Sequence, residues 1–549
     1  MIQEISFKNF RRFENFPPMK LNDINILVGP NNAGKSTVAK ALILVIENLK
    51  HLSLGNGTQR EDDDLFNTNI IPYFHFDAHQ KFDLHLGTFH NALFAGAKRK
   101  SISFSITIDS FTFSLEIMPG NSDENNVVCP IKSVQISDSK RNITLSLDFA
   151  EMIFTFKKEK NTDETTQAVI NDNTHLIDQT IEAINACEKK KESATNALEL
   201  AEIISKKDKL ERRLSLLKEI KEKAKLISDN DSKKAEPHSM PIVFRKDDLD
   251  VFNLMISSAQ KATDTTGKFK VSNIEKIFHN PVIGENYSLI AKSVNESKAS
   301  IEKIELHYTP AHSASQNRTL NKADKNNYLA QVVHEFYKLR VEDGDPTNVC
   351  LKADMESFGI GNNYRITSIE GEAYIVEIKD QYGWANLSSK GMGNIQLFTI
   401  LMQLAVLTSI NPNKEKWAFF EEPELNLHPE FQSKLADLFH TASINGCHCF
   451  VETHSEYLVR RTQVLVANAN FKNEKDIAEN NPFRTYYFDK DCKDTPVYEM
   501  EYENTGGFKQ RFGAGFYDEA SKLDLQIMQK EKEVRNSMTA EDLISLINK

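Results

Sequence analysis

Apolar and polar residues alternate from Ile2 to Phe10, and a compact apolar run, Ile24 to Val28, then stops abruptly at Gly29 Pro30 Asn31 Asn32. Beyond it Ala39, Leu42, Ile43 and Ile46 recur at helical spacing, so the chain is predicted to open as strand, turn, helix. Residues 81–157 hold short alternating stretches (101–108, 112–117 and 143–156) between polar turns, which predicts an antiparallel sheet region.

The pattern changes near Thr162. Residues 175–228 contain no Gly or Pro, are dense in Lys and Glu, and place Ile177, Ile181 and Ile184, then Leu210, Leu214 and Leu217, on one narrow seam. That is a coiled-coil pattern, open to two readings: a solvated helical insertion packed on its neighbour, or a lever or partner-docking arm. Residues 229–237 close it as a polar linker. A second mixed region begins near Ile301, with a predicted strand at 302–307, a helix at 328–340 and a strand at 374–378. A Gly- and Ser-rich stretch, 386–396, precedes an apolar helix at 397–407. Two buried strands follow with a helix (429–440) between them: 417–420, ending in Glu421 Glu422 Pro423 Glu424, and 447–451, ending in Glu452 Thr453 His454 Ser455. Polar strand ends alternating with helices are how an open parallel sheet presents a ligand site. The expected division is an N-terminal part of one α/β core (1–160), a helical or coiled-coil insertion (161–300), a C-terminal part of the core (301–490) and a tail (491–549).

Composition narrows the class. At 549 residues, 40% hydrophobic and 26% charged, the chain reads as globular, and no uninterrupted apolar run reaches membrane-spanning length, so no membrane partner is expected. Charged residues run through Met1 to Leu27, which does not fit a secretory signal. The 6 cysteines are sparse, which argues against a disulfide framework and for a cytoplasmic location. Cys447 and Cys449 flank His448, but strand alternation turns His448 to the other face, so the trio is read as core rather than as a zinc site. A net charge of -11 leaves nucleic-acid contact to a partner, to the patch Lys98, Arg99 and Lys100, or to the Lys-rich helices.

The chemistry concentrates in four places. Gly29 to Ser36 matches G-x-x-x-x-G-K-[ST] between a strand and a helix, where backbone amides wrap a phosphate. Gly29, Asn31, Asn32, Ala33, Gly34, Lys35, Ser36 and Thr37 are therefore candidate ATP-binding residues, with Lys35 reaching the phosphates and Ser36 holding Mg²⁺. An acidic pair at a strand end completes such a site: Glu421 is the candidate metal residue and Glu422 the candidate water-activating base. His454 is the candidate γ-phosphate sensor. The turn Ser388 Ser389 Lys390 Gly391 Met392 Gly393 offers a second anion-contacting surface, with Ser389, Gly391 and Gly393 assigned to nucleotide presented by another subunit.

This order of motifs resembles the ABC-type ATPases of the RecF, Rad50, SMC and OLD-like group. Asn9 Phe10 Arg11 looks like that group's N-terminal strand, whose arginine approaches the nucleotide, and Glu421 to Glu424 with Leu427 His428 Pro429 is similar to its Walker B and D-loop. Residues 389–396 look like a degenerate signature loop, the chain reading Ser-Ser-Lys-Gly-Met-Gly from Ser388 where the group has Leu-Ser-Gly-Gly-Gln, and Gln80 stands near the distance expected of a Q-loop. The resemblance implies two protomers enclosing two ATP molecules, as a homodimer or an assembly of dimers, with Ser389 and Gly391 acting across the interface.

The sequence is similar, further, to the PtuA family of ATPases in Septu-type and retron-linked antiphage systems, a likeness that Tyr308 to Ala311 and Ser315 to Arg318 also carry. It implies a regulatory ATPase with no nuclease centre of its own, a separate PtuB-like HNH nuclease as partner, and in some systems a reverse transcriptase and its msDNA. The tail motif 515–519 resembles one in related ATPases and is assigned no chemistry. The alternative is an OLD- or RecF-like ATPase acting directly on DNA, in repair or as a nuclease using Asp489 and Asp491.

Overall fold

The computed structural model describes residues 1–53, 58–60, 70–77, 84–120, 126–159, 237–242, 250–261, 268–271, 274–277, 280–313, 316–324, 326–409, 413–490, 496–513, 516 and 519–537, with single helical positions between Thr180 and Lys218. Of the predicted coiled seam Ile181, Ile184 and Leu214 are helical; Ile177, Leu210 and Leu217 lie outside the described residues, as do Gln80, Ser315, Asp491, Gly515, Tyr517 and Asp518.

One sheet carries the site. Its strand order is Ile304–Thr309, Glu415–Glu421, Cys447–Glu452, Ile24–Val28, Phe483–Phe488, Val497–Met500, all parallel except the last. The continuous apolar runs read from sequence follow from this position, because both faces of each central strand are covered. Ile24, Ile26 and Val28 share one core with Ala418, Phe420, Cys449 and Val451, beneath the helices Tyr328–Lys338, Met392–Ser409 and Pro429–Ile444. Leu27, Trp417, Phe419 and Phe450 face the other way, against the helix Lys35–Ser53 and a second sheet. Met392–Ser409 is long and apolar enough to cross a membrane but forms part of the first core.

The second sheet is antiparallel, as predicted, and runs His238–Pro241, Ile153–Lys158, Ile143–Asp148, Val128–Asp138, Phe111–Ile117, Ile102–Ile108, Ile2–Phe10, Phe13–Lys20. The stretch 143–156 is two strands joined by a turn in which Met152 takes φ 54°, a break that alternation alone hides. Phe13–Lys20 is an added edge strand; Pro17 and Pro18 are tolerated there because an edge strand need not donate every amide to a ladder. Its register pairs Phe10 with Phe13 and closes a turn at Arg11 and Arg12. Phe7, Phe10, Phe13 and Phe16 then cluster, with the Phe7 and Phe16 rings stacked at 4.4 Å.

The boundaries depart from expectation at two places. Strand His238–Pro241, inside the range assigned to the helical insertion, pairs with Ile153–Lys158. The core sheet also continues past residue 490, because Val497–Met500 pairs with Phe483–Phe488 and the Tyr502 hydroxyl bonds with Thr462 and Thr485 at 2.8 Å each.

Candidate nucleotide site

The P-loop follows the central strand Ile24–Val28 and leads into the helix Lys35–Ser53. Its path depends on unusual backbone: Gly29 has φ 144°, Asn32 φ 61° and Gly34 φ 99°. At Gly34 a Cβ would fall 2.6 Å from the Phe13 ring, so the aromatic cluster forms the back wall of the loop. Lys35 folds over it, donating to the carbonyls of Gly29 at 3.0 Å and Pro30 at 3.2 Å. Those carbonyls occupy an amine that phosphate oxygens would otherwise take. Burial lowers the Lys35 pKa, against the opposing pull of Glu452, Glu422 and Glu424.

Strand order sets which side chains meet this loop. The strand ending in Glu452 lies between the P-loop strand and the strand ending in Glu421, and register pairs Glu421 with Glu452. Lys35 Nζ also stands 3.1 Å from His454 Nε2. An ammonium has only hydrogens to offer, so Nε2 must accept and the imidazole is neutral. Burial and the Lys35 charge lower the His454 pKa accordingly, with Glu422 opposing them. Glu422 Oε1 lies 3.8 Å from the same nitrogen, and its amide donates to the Glu452 carbonyl at 2.8 Å. Glu422 takes φ 46°, which turns the chain sharply out of the strand.

Glu421 sits behind, with Lys40 of the P-loop helix at 3.9 Å and Tyr308 hydrogen-bonded to it; burial and Glu421 raise the Tyr308 pKa. Glu421 Oε1 and Glu452 Oε2 are buried without a hydrogen-bond partner. Hard oxygens left open beside the Ser36 hydroxyl suit Mg²⁺, which keeps waters and takes only one or two protein ligands plus phosphates. Among the described residues no three His, Cys, Asp or Glu side chains form a metal-ligand cluster.

Three residues outside the predicted set join the site. The guanidinium of Arg12, rather than Arg11, bonds to the Asn32 carbonyl of the loop and reaches the Lys490 carbonyl at 3.4 Å. Arg11, with φ 53°, instead donates its backbone amide to the Ala92 carbonyl at 2.6 Å, because the hairpin turn separates the two arginines. Glu452 accepts the Ser36 hydroxyl at 3.0 Å, and burial pushes its pKa up to about 7. Glu424 accepts the His454 amide at 2.6 Å; burial raises its pKa also. The tetrad Glu452 to Ser455 carries a sequence signal for Glu452, since a carboxylate ending a buried strand is costly unless it is paired or hydrogen-bonded.

The signature-like turn is tighter than expected. A short 3-10 turn, Leu387–Ser389, leads into a helix that starts at Met392, so Met392 to Gln396 are helical rather than loop. Ser389 donates to the Asn386 carbonyl at 2.6 Å, and Lys390 pairs with Asp380. Gly393 has a packing reason to be glycine: a Cβ would come 2.5 Å from the Asn426 carbonyl of the loop after Glu424. A Cβ at Gly391 would meet nothing within 4 Å, and the residue is exposed. His448, read as core, is half-buried on the opposite face from the buried Cys447 and Cys449, stacked on Trp417 at 4.8 Å and 3.1 Å from Asp23.

A family model described as an AAA ATPase domain matches residues 1–459. The chain belongs to the AAA ATPase domain family. Its α/β fold, a P-loop sheet beside an antiparallel β region, is the ABC-type P-loop ATPase arrangement that the motif order implied. No curated protein matches the sequence. Among solved structures, the SMC head domain of Pyrococcus furiosus with an extended coiled coil, bound to the C-terminal domain of ScpA, aligns at 11% identity over 84% of this chain and 91% of that one, with a TM-score of 0.28. The SMC head domain of Pyrococcus yayanosii with a coiled coil and joint aligns at 9% identity over 92% and 97%, with a TM-score of 0.33.

Proposed function

We propose that this family member binds ATP with Mg²⁺ and hydrolyses it, and that its nucleotide state controls a separate HNH nuclease in antiphage defence. The observation that carries the catalytic part is the convergence of P-loop, acidic strand end and switch strand: Lys35 stands 3.1 Å from His454, and Glu422 lies 3.8 Å from the same ring nitrogen. Lys35 would exchange the Gly29 and Pro30 carbonyls for phosphate oxygens. Ser36 would hold Mg²⁺, with Glu421 acting in its outer shell, and the ion would supply charge neutralisation at the phosphates. Glu422 would orient the attacking water, and His454 would report the γ-phosphate, donating to it as the tautomer that carries its proton on Nε2 once Lys35 no longer donates to that nitrogen. Phosphate release from ATP by the purified chain is the test; no release and no ATP binding at millimolar nucleotide would reject the reading.

The dimer in which Ser389 and Gly391 contact the partner's nucleotide has its support in the open surface at Gly391. Gly391→Val caps the helix Met392–Ser409 less well and is expected to cost about 1 kcal/mol of stability, yet to lower turnover at least about tenfold by blocking close approach. Wild-type turnover in that variant would remove Gly391 from the interface.

The regulatory part is supported by the motifs shared with PtuA-type ATPases. DNA cleavage by a mixture with a PtuB-like HNH protein, with or without the reverse transcriptase and msDNA, is expected to fall as ATP rises to millimolar levels. Equal cleavage with and without ATP would end the gating idea.

A further inference from the structure

Ser36 begins the P-loop helix, and its Oγ donates a 3.0 Å hydrogen bond to Oε1 of Glu452. Glu452 ends the strand between the P-loop strand and the acidic strand, paired in register with Leu27 on one side and Glu421 on the other. The residue is 5% exposed, and its second oxygen, Oε2, has no hydrogen-bond partner. The same Oε1 lies 3.8 Å from Lys35 Nζ. Glu452 is thus the one described carboxylate that meets both chemistry-bearing side chains at the start of the helix.

A serine holds a cation through an oxygen lone pair, and its hydrogen must then point to an acceptor on the far side. Without that acceptor the hydroxyl rotates, and the lone pair is aimed at the metal only part of the time. Groups that orient a ligand in this way govern metal affinity about tenfold to hundredfold when removed. Glu421 does not supply the acceptor in this structure: the contacts of its carboxylate are Lys40 at 3.9 Å and the Tyr308 hydroxyl.

We propose that Glu452 is a positioning residue of the cation site, which accepts the Ser36 hydroxyl hydrogen, fixes the Oγ lone pair toward Mg²⁺ and leaves Glu421 to act on the cation's waters. This rests on the ATP and Mg²⁺ reading of the site. It assigns work to an acid that the acidic pair Glu421 and Glu422 does not include, and it links the helix bearing Ser36 to the strand that continues into His454. The competing role is bulk charge: a carboxylate that only neutralises Lys35.

The two roles separate in a Mn²⁺ titration followed by electron paramagnetic resonance in the presence of ATP. Glu452→Ala is expected to weaken Mn²⁺ binding at least about tenfold. Glu452→Gln keeps an acceptor oxygen without the charge, so it is expected to weaken Mn²⁺ binding by no more than about threefold. Ser36→Ala should cost at least as much as Glu452→Ala, and the double variant should cost no more than Ser36→Ala alone, as two residues on one route do. That cycle keeps the proposal falsifiable should one of the single variants fold poorly. Equal losses in Gln and Ala would identify charge as the cause and overturn the positioning role, as would independent, additive losses in the cycle. A wild-type protein that binds neither ATP nor Mn²⁺ would instead reject the proposed function itself.

Discussion

Replacing Glu422 by Gln is expected to reduce ATP turnover about a hundredfold or more, with ATP affinity held within about threefold because none of the P-loop contacts is touched. The substitution is isosteric, and Gln adopts the φ 46° backbone of this position no worse than Glu. What changes is the ability to take a proton from, or orient, the attacking water. The Glu422 backbone stays tied to the switch strand through its amide bond to the Glu452 carbonyl at 2.8 Å, so the variant should melt with the wild type. A loss of that size is about 3 kcal/mol of transition-state stabilisation. Single-turnover phosphate release, with nucleotide binding measured separately, is the check. Turnover within tenfold of wild type would show that another group prepares the water; a wild-type rate no higher than that of buffer would favour a chain that uses ATP only to assemble.

Much of this site was legible because its parts are contiguous in sequence. The P-loop lies within nine residues, Gly29 to Thr37, and glycine, lysine and serine at those spacings have a local physical reason to be there. The strands ending in Glu421 and Glu452 were legible from their apolar runs, which full burial on both faces produces. Strand order was not. Nothing local says that Cys447–Glu452 inserts between Ile24–Val28 and Glu415–Glu421, and only that order brings Glu452 to Ser36. The same limit explains the arginines: Arg11 and Arg12 are adjacent, and the turn closed by the Phe10 to Phe13 pairing decides which side chain reaches the Asn32 carbonyl. The edge strand Phe13–Lys20 was hidden by Pro17 and Pro18, which read as breakers wherever the edge position is unknown. The pairing of Val497–Met500 likewise depends on a partner strand rather than on its own four residues.

Gly29→Ala is the second large effect, and it follows from geometry rather than from chemistry. The residue has φ 144°, a conformation that L side chains rarely adopt, and a Cβ there would stand 2.4 Å from the Phe488 carbonyl oxygen and 3.1 Å from the Phe488 Cβ. The obstacle is the backbone of the neighbouring strand Phe483–Phe488, which is paired to Ile24–Val28 and cannot rotate aside as a flexible side chain could. Backbone strain of this kind costs about 1–3 kcal/mol, and forcing an extra methyl into a packed position adds about the same again. The loop can relieve the contact only by lifting away from Phe488, which moves the Gly29 carbonyl that now holds Lys35 at 3.0 Å. Stability and function should therefore fail together: a clearly lowered melting temperature, and ATP affinity reduced at least about tenfold as the amides lose their common aim at phosphate. Gly391→Ala is the matched control, since no atom lies within 4 Å of its Cβ position, and it should lower the melting temperature far less than Gly29→Ala and leave the nucleotide affinity of the protomer unchanged. If Gly29→Ala bound ATP as tightly as the wild type, the loop would have to be free to detach from Phe488, and the close approach seen here would not be what shapes it.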